Sequence, residues 1–242
     1  MKKLLFLAVA VALSGSVFAE EDELTVERLW TPVQLNLASP LGLPWADRDV
    51  YGLRMNVFYG HSLDLVGADL GVVGVTRGSA RGIQMNVYNH VEGFFRGVQF
   101  GPLANYTVKT AYGLQFAGIL NWVLDDGIGA QFGLINMSGA YTGAQLGFLN
   151  WESGYVCGLN LGVINAAQVD FEGCAIGLVN FCKGTLHGCQ FGVFNIASGH
   201  SEGLQFGVFN ASEDHAGVQI GLLNLNCAAA LPVMAVVNVN FR

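Results

Sequence analysis

A chain of 242 residues that is 52% hydrophobic and only 12% charged is too apolar and too poor in charge to be disordered. Its formal charge of -7, with no cluster of Lys or Arg, makes nucleic acid and anionic lipid headgroups poor partners. Few Pro, 33 Gly, and frequent Val, Ile, Phe and Tyr point to strands separated by tight turns.

The chain opens with MKKLLFLAVAVALSGSVFA. Lys2 and Lys3 precede an apolar run from Leu4 to Leu13, and small residues follow up to Ala19. This is the layout of a secretory signal peptide, and the run is too short to remain as a membrane-spanning helix. Residues 1–19 are therefore expected to be removed, leaving Glu20 as the mature terminus, with no Cys nearby to carry lipid. Residues 20–50 form a non-repeating lead-in. Within it, Thr31 to Ala38 alternates Val33, Leu35 and Leu37 with Gln34 and Asn36, the period of a strand that caps the repeats. Pro40, Gly42 and Pro44 then turn the chain.

Residues 51–224 are a repeat domain. GCQFGVFN, GLQFGVFN and GVQIGLLN begin at Gly188, Gly203 and Gly217. Aligned on the first glycine, the units start at Gly52, Gly67, Gly82, Gly97, Gly113, Gly129, Gly143, Gly158, Gly173, Gly188, Gly203 and Gly217, at intervals of 14 to 16 residues. Each reads Gly, apolar, Gln, apolar, Gly, apolar, apolar, Asn, then a variable run. Gln190, Gln205 and Gln219 are in the Gln column, from which Arg54, Asp69, Asn160 and Ala175 depart; Asn180, Asn195, Asn210 and Asn224 are in the Asn column.

The two-residue alternation makes each unit a strand. Two architectures fit a strand repeated every 15 residues or so: a β-solenoid of about twelve coils, or an antiparallel transmembrane β-barrel with one strand per repeat. The near-constant spacing favours the solenoid, because every coil must return to its start whereas barrel loops vary freely. Odd and even units also look alike, which a meander with turns on opposite rims does not require. Counting the first Gly as zero, a three-sided coil would turn positions one and three, six and eight, and eleven and thirteen inward. In the Gly158 unit these are Leu159, Leu161, Ile164, Ala166, Val169 and Phe171. The apolar column at position five, Val208 among it, does not fit this coil; it reads either as an interface or as a sign against the three-sided arrangement. Residues 225–242 break the repeat and form a C-terminal capping strand.

SPLGLPWADRDVYGLRMNVFYG, the tandem GLQFGVFN units and the closing LPVMAVVNVNF together resemble a family of bacterial surface-repeat proteins of unknown function. The resemblance spans Thr31 to Arg242 and implies export to the cell envelope or surface, and it brings no catalytic residues. Two segments depart from the pattern, GPLANYT at Gly101 to Thr107 and the extra residue in GLQFAGILN, and a bulge or bend is expected at each.

Cys174 and Cys189 share a column one unit apart, so a solenoid stacks these thiols within disulfide reach; the other reading is two small buried hydrophobes. His200 and His215 both stand twelve past a glycine, and with Glu202 or Asp214 they form either a surface metal site or simple exposed turns. The acidic pairs Asp125–Asp126 and Glu213–Asp214 read as solvated turns. Stacked amides in the Gln and Asn columns either tie coils together or present a polar face to glycans or ice. No nucleophile motif, phosphate loop or CxxC zinc pair occurs, so no catalytic, cofactor or metal residue is expected. The chain reads as a non-enzymatic, exported envelope or surface protein, a scaffold or binding surface. Its partners are a surface ligand or envelope component, outer-membrane lipid included, and not nucleic acid. It would lie in the outer membrane, at the cell surface or in the periplasm. A barrel or small pore is the alternative, and an envelope hydrolase a third reading.

Overall fold

The computed structural model describes residues 28–39, 41–43 and 48–241. The expected signal peptide and its cleavage site lie outside them. Every element among the described residues is a β-strand. Consecutive units stack in parallel: Val156–Leu161 lies between Tyr141–Leu146 and Phe171–Ile176, with Gly158 opposite both Gly143 and Gly173. A second row pairs the same way, Leu149–Glu152 against Ile135–Ser138 and Ile164–Ala167 against Val179–Cys182, Asn opposite Asn. Each coil thus gives one strand to each of two sheets, and the molecule is a parallel β-solenoid. This pairing is that of the solenoid and does not favour the barrel, in which neighbouring strands of a meander run antiparallel.

The unit length is held because the register leaves no slack. Where a unit has sixteen residues, the extra one goes into the corner between the sheets, where Gly118 packs on the Pro102 carbonyl. Asn105 and Asn121 then fall back into step with Asn89 and Asn136. The bulge expected at these two segments is this corner.

The three-sided coil needs correcting in two respects. There are two sheets, joined at positions four and five by a two-residue corner such as Gly162–Val163. The inward columns are two, seven, nine and thirteen, so the amides lie inside and most of the apolar columns outside. In the Gly158 coil, Asn160, Asn165 and Ala167 are buried, whereas Leu159, Leu161 and Ile164 are partly exposed. In the GLQFGVFN coil, Gln205 and Asn210 are 0% exposed, Phe206 52% and Val208 46%. Two-residue alternation decides which side chains share a face but not which face is inward. With so short a corner the sheets stand close, and the slot holds one amide column from each. Position five sits on the corner itself, which is why that apolar stripe faces out. The N-terminal cap is inverted in the same sense, with Gln34 and Asn36 buried and Val33, Leu35 and Leu37 exposed.

Position zero is glycine in all twelve units for two reasons. Its φ lies between +124° and +147°, a region open only to glycine in practice. A Cβ on Gly158 would also stand 1.9 Å from the Gly143 carbonyl oxygen.

Both ends of the stack are covered. Trp30–Ala38 runs parallel to Asp49–Ser62, with Leu41–Leu43 antiparallel on its outer side. Val233–Asn240 closes the other end antiparallel, Asn240 opposite Gly217. Each cap occupies an edge that would otherwise be free to pair with another chain.

Candidate functional site

The most specific chemistry in the molecule is its polar interior. Asn89, Asn105, Asn121, Asn136, Asn150, Asn165, Asn180, Asn195, Asn210 and Asn224 form one ladder, each Nδ2 donating to the Oδ1 of the next coil at 2.8 to 2.9 Å. The same Nδ2 groups also donate to main-chain carbonyls of the following coil, as Asn165 does to Ile176 at 3.0 Å. Glutamines make the second ladder in two runs. Gln99, Gln115, Gln131 and Gln145 each donate back to the coil before, starting on Gln84, and Gln205 and Gln219 do the same from Gln190. The two ladders therefore run with opposite polarity, and each amide polarises the next in a low dielectric. Beside the ladders, position thirteen and position nine supply small apolar clusters, Val156, Phe171 and Leu186 against Ala167, Cys182 and Ala197.

At the N-terminal end the Gln column is replaced by an ion pair. Arg54 and Asp69 are both 0% exposed and meet through two hydrogen bonds, Nε to Oδ1 at 2.8 Å and an Nη to Oδ2 at 2.6 Å. The carboxylate also accepts from Asn56 at 2.8 Å and Asn86 at 2.7 Å, and the guanidinium donates to Ser62 and to the Val75 carbonyl. A second irregularity falls at Asn160 and Ala175, where the Gln ladder stops. There Glu152 is buried on the opposite sheet and accepts from Asn160 Nδ2 at 3.0 Å. Its Oε2, Asn160 Oδ1 and Gln145 Oε1 have no partner. Burial pushes the Glu152 carboxyl up to about 8, so at neutral pH it keeps its proton.

This gives a pH dependence of definite sign. Between the ordinary 4.5 and about 8 the unfolded chain ionises Glu152 while the folded one does not. Stability should fall by about 1.4 kcal/mol per pH unit through that window and level off above it. Urea unfolding of the wild type and Glu152→Gln at pH 5, 7 and 9 checks this. The variant is expected to lose that slope, and parallel profiles for the two proteins would contradict a neutral Glu152.

The His200–His215 pairing does not form. His200 lies on the exposed edge and meets Glu202 at 3.1 Å and Asp214 at 2.9 Å, bonds to Glu202 first and Asp214 second that raise its pKa. His187 joins the same chain through Glu202 at 3.2 Å. His215 is 1% exposed instead, bonded to Ser201 Oγ at 2.8 Å, and burial lowers its pKa. The Gly203 unit has one residue fewer in its outer turn, so position twelve there moves into the inward site. Asp125, Asp126 and Glu213 are exposed. Cys174 and Cys189 are register partners at position one on the outer face; both are free and half-buried. Burial raises the Cys174 pKa and the neighbouring Cys189 adds to it.

Sequence reasoning missed the Arg54–Asp69 pair, the role of Glu152, and Asn105 and Asn121 as ladder members. Opposite charges one unit apart in a Gln column, and asparagines sixteen residues apart beside 16-residue units, were the available signals.

Together these features define a two-sheet parallel β-solenoid with an amide interior and an apolar exterior. No protein-family model, curated protein or solved structure matches the chain.

Proposed function

We propose that the chain is a non-enzymatic repeat protein, exported across the inner membrane of a Gram-negative cell, that acts at the outer membrane or cell surface as a scaffold or binding surface. The observation that carries this reading is the disposal of chemical groups. The amides that could recognise a glycan or ice are spent on each other inside, at 0% to 3% exposure for Gln84, Gln115, Gln205 and Asn210. What is left outside is a broad apolar surface and a single charged edge, which suit contact with another envelope component rather than turnover of a small substrate. The signal-peptide layout and the surface-repeat resemblance support the address, and the acidic balance keeps nucleic acid out of the partner set.

Expression of the whole chain in a Gram-negative host, followed by fractionation and N-terminal sequencing, tests the proposal. The expected product starts at Glu20 and travels with the outer membrane or is labelled from outside the cell. An intact chain beginning at Met1 in the cytoplasm would overturn it.

A further inference from the structure

Three sides of the solenoid are apolar along its whole length. No charged residue occupies positions one, three, five or six in any unit. The corner edge is the most exposed, with Val57 54%, Leu134 51%, Phe148 51%, Leu178 55% and Leu222 74% accessible. The charged side chains that the coils leave accessible gather on the opposite edge and the strand position beside it, with Arg77, Lys109, Lys183 and Glu213 exposed and Asp64 and Glu92 half-buried. Between the two levels stand aromatic residues with polar tips. Tyr106, Trp122 and Trp151 each follow a ladder asparagine on one sheet, Tyr106 and Trp122 edge to face at 5.3 Å, and Tyr51 and Tyr112 precede the glycine on the other.

Resting on the envelope reading above, we infer that the solenoid lies flat in one leaflet of a lipid bilayer, its axis in the membrane plane, the corner edge in the hydrocarbon and the charged edge in water. Four observations select hydrocarbon as the occupant. A second copy would cover one side and leave two bare, whereas acyl chains cover all three. The backbone groups of each inner coil are taken up by the coils on either side, as contact with hydrocarbon requires. From position one to position five the apolar face is about 13 Å deep, close to the roughly 15 Å of one hydrocarbon leaflet. Tyr and Trp with an apolar body and a polar tip belong at the level where lipid meets water, and Tyr51, Tyr106, Tyr112, Trp122 and Trp151 stand there, while Tyr88, one row nearer the corner, has its hydroxyl bonded to His90. The orientation follows from the charged edge. It runs the length of the stack, about 50 Å for the eleven steps between stacked glycines, so an axis along the bilayer normal would drag its ionised side chains through the core.

The experiment uses the whole mature chain and vesicles of neutral phosphatidylcholine. Flotation is expected in low salt and unchanged in 1 M salt, because apolar area and not headgroup charge drives it. Acyl chains brominated at graded depths then report position through tryptophan quenching. With Trp30 and Trp45 replaced by Phe, Trp122 and Trp151 should respond most to bromines near the glycerol, and Val208→Trp should add emission quenched most by bromines deep in the chains. Leu134→Asp with Leu178→Asp changes only exposed corner residues; it should keep the β-sheet circular dichroism and partition at least tenfold more weakly. A soluble oligomer that ignores vesicles would overturn the inference in favour of self-association. Shielding of the charged edge as well as the corner would overturn it in favour of a spanning orientation. These outcomes are independent of cellular address, which the fractionation above decides separately.

Discussion

Asp69→Ala is expected to destabilise the N-terminal coils by about 3–5 kcal/mol, the range for removing one partner of a buried ion pair. The reason is the charge that stays behind. Arg54 remains charged at 0% exposure, the Asn56 amide loses its acceptor and the Asn86 amide loses one of its two. Coils of a solenoid are coupled chiefly to their neighbours, so the damage should be local. Hydrogen exchange should show loss of protection around Gly52, Gly67 and Gly82 with the coils from Gly143 onward little changed. The converse variant is more telling. Arg54 and Asp69 stand in the column that holds Gln in most other coils, so Arg54→Gln combined with Asp69→Gln continues the amide ladder downward from Gln84. The double variant should recover most of the wild-type stability while each single charge removal does not. An additive cycle, with the double variant as unstable as the sum of Arg54→Gln and Asp69→Gln, would show that the pair is not coupled in this way.

Gly158→Ala should be at least as damaging, about 3 kcal/mol or more, which is unusual for adding one methyl group. Two costs combine. The φ of +146° is strained for any residue with a Cβ. The new Cβ would also meet the Gly143 carbonyl oxygen at 1.9 Å, and that oxygen belongs to backbone held on both sides. Relief requires the coils to separate, which breaks the sheet mid-stack. Gly162→Ala is the control. Gly162 has an ordinary φ, its Cβ would meet the Asn150 side-chain amide and the Gly147 carbonyl oxygen at 2.9 Å each, a full ångström farther than the clash at Gly158, and the same column already holds Ala117. Equilibrium unfolding of the two variants should separate them by about 2 kcal/mol or more, taking roughly the conformational cost of a forbidden φ as the difference. Equal costs would mean that position zero is not defined by backbone approach.

Much of the architecture was legible because a repeat constrains length and register together. The twelve glycines chosen by alignment are the ones with positive φ, and Val33 and Val237 lie in strands that close the ends. The inside and outside were not legible from hydrophobicity. Leu204 and Phe206 do share one side and Gln205 the other, but in a slot this thin the amide wins the interior because its partners are there. A different cue pointed the right way. Position two is Gln in eight of the twelve units and position seven Asn in eight, with Asn105 and Asn121 one place later, whereas position three ranges over Met, Leu, Phe and Ile. Amides that bond one another from coil to coil must match, while an outward column is free to vary in size. Glu152 was hidden for the opposite reason: its column also holds Ser138 and Ala167, so nothing in the pattern marks a buried carboxyl.

The claim on which the fold and its apolar surface both depend is that glutamine and asparagine form the interior of a parallel stack. Hydrogen exchange of side-chain amide protons, followed by NMR on the unmodified chain, tests it most directly. Gln205 donates to Gln190 at 2.9 Å and Gln219 to Gln205 at 2.7 Å, all three at most 1% exposed. Their Nε2 protons are expected to exchange as slowly as the strand amides beside them, with cross-peaks linking Gln190 to Gln205 and Gln205 to Gln219. Exchange at the rate of free glutamine, or cross-peaks that skip a unit, would contradict the fold and the surface built on it.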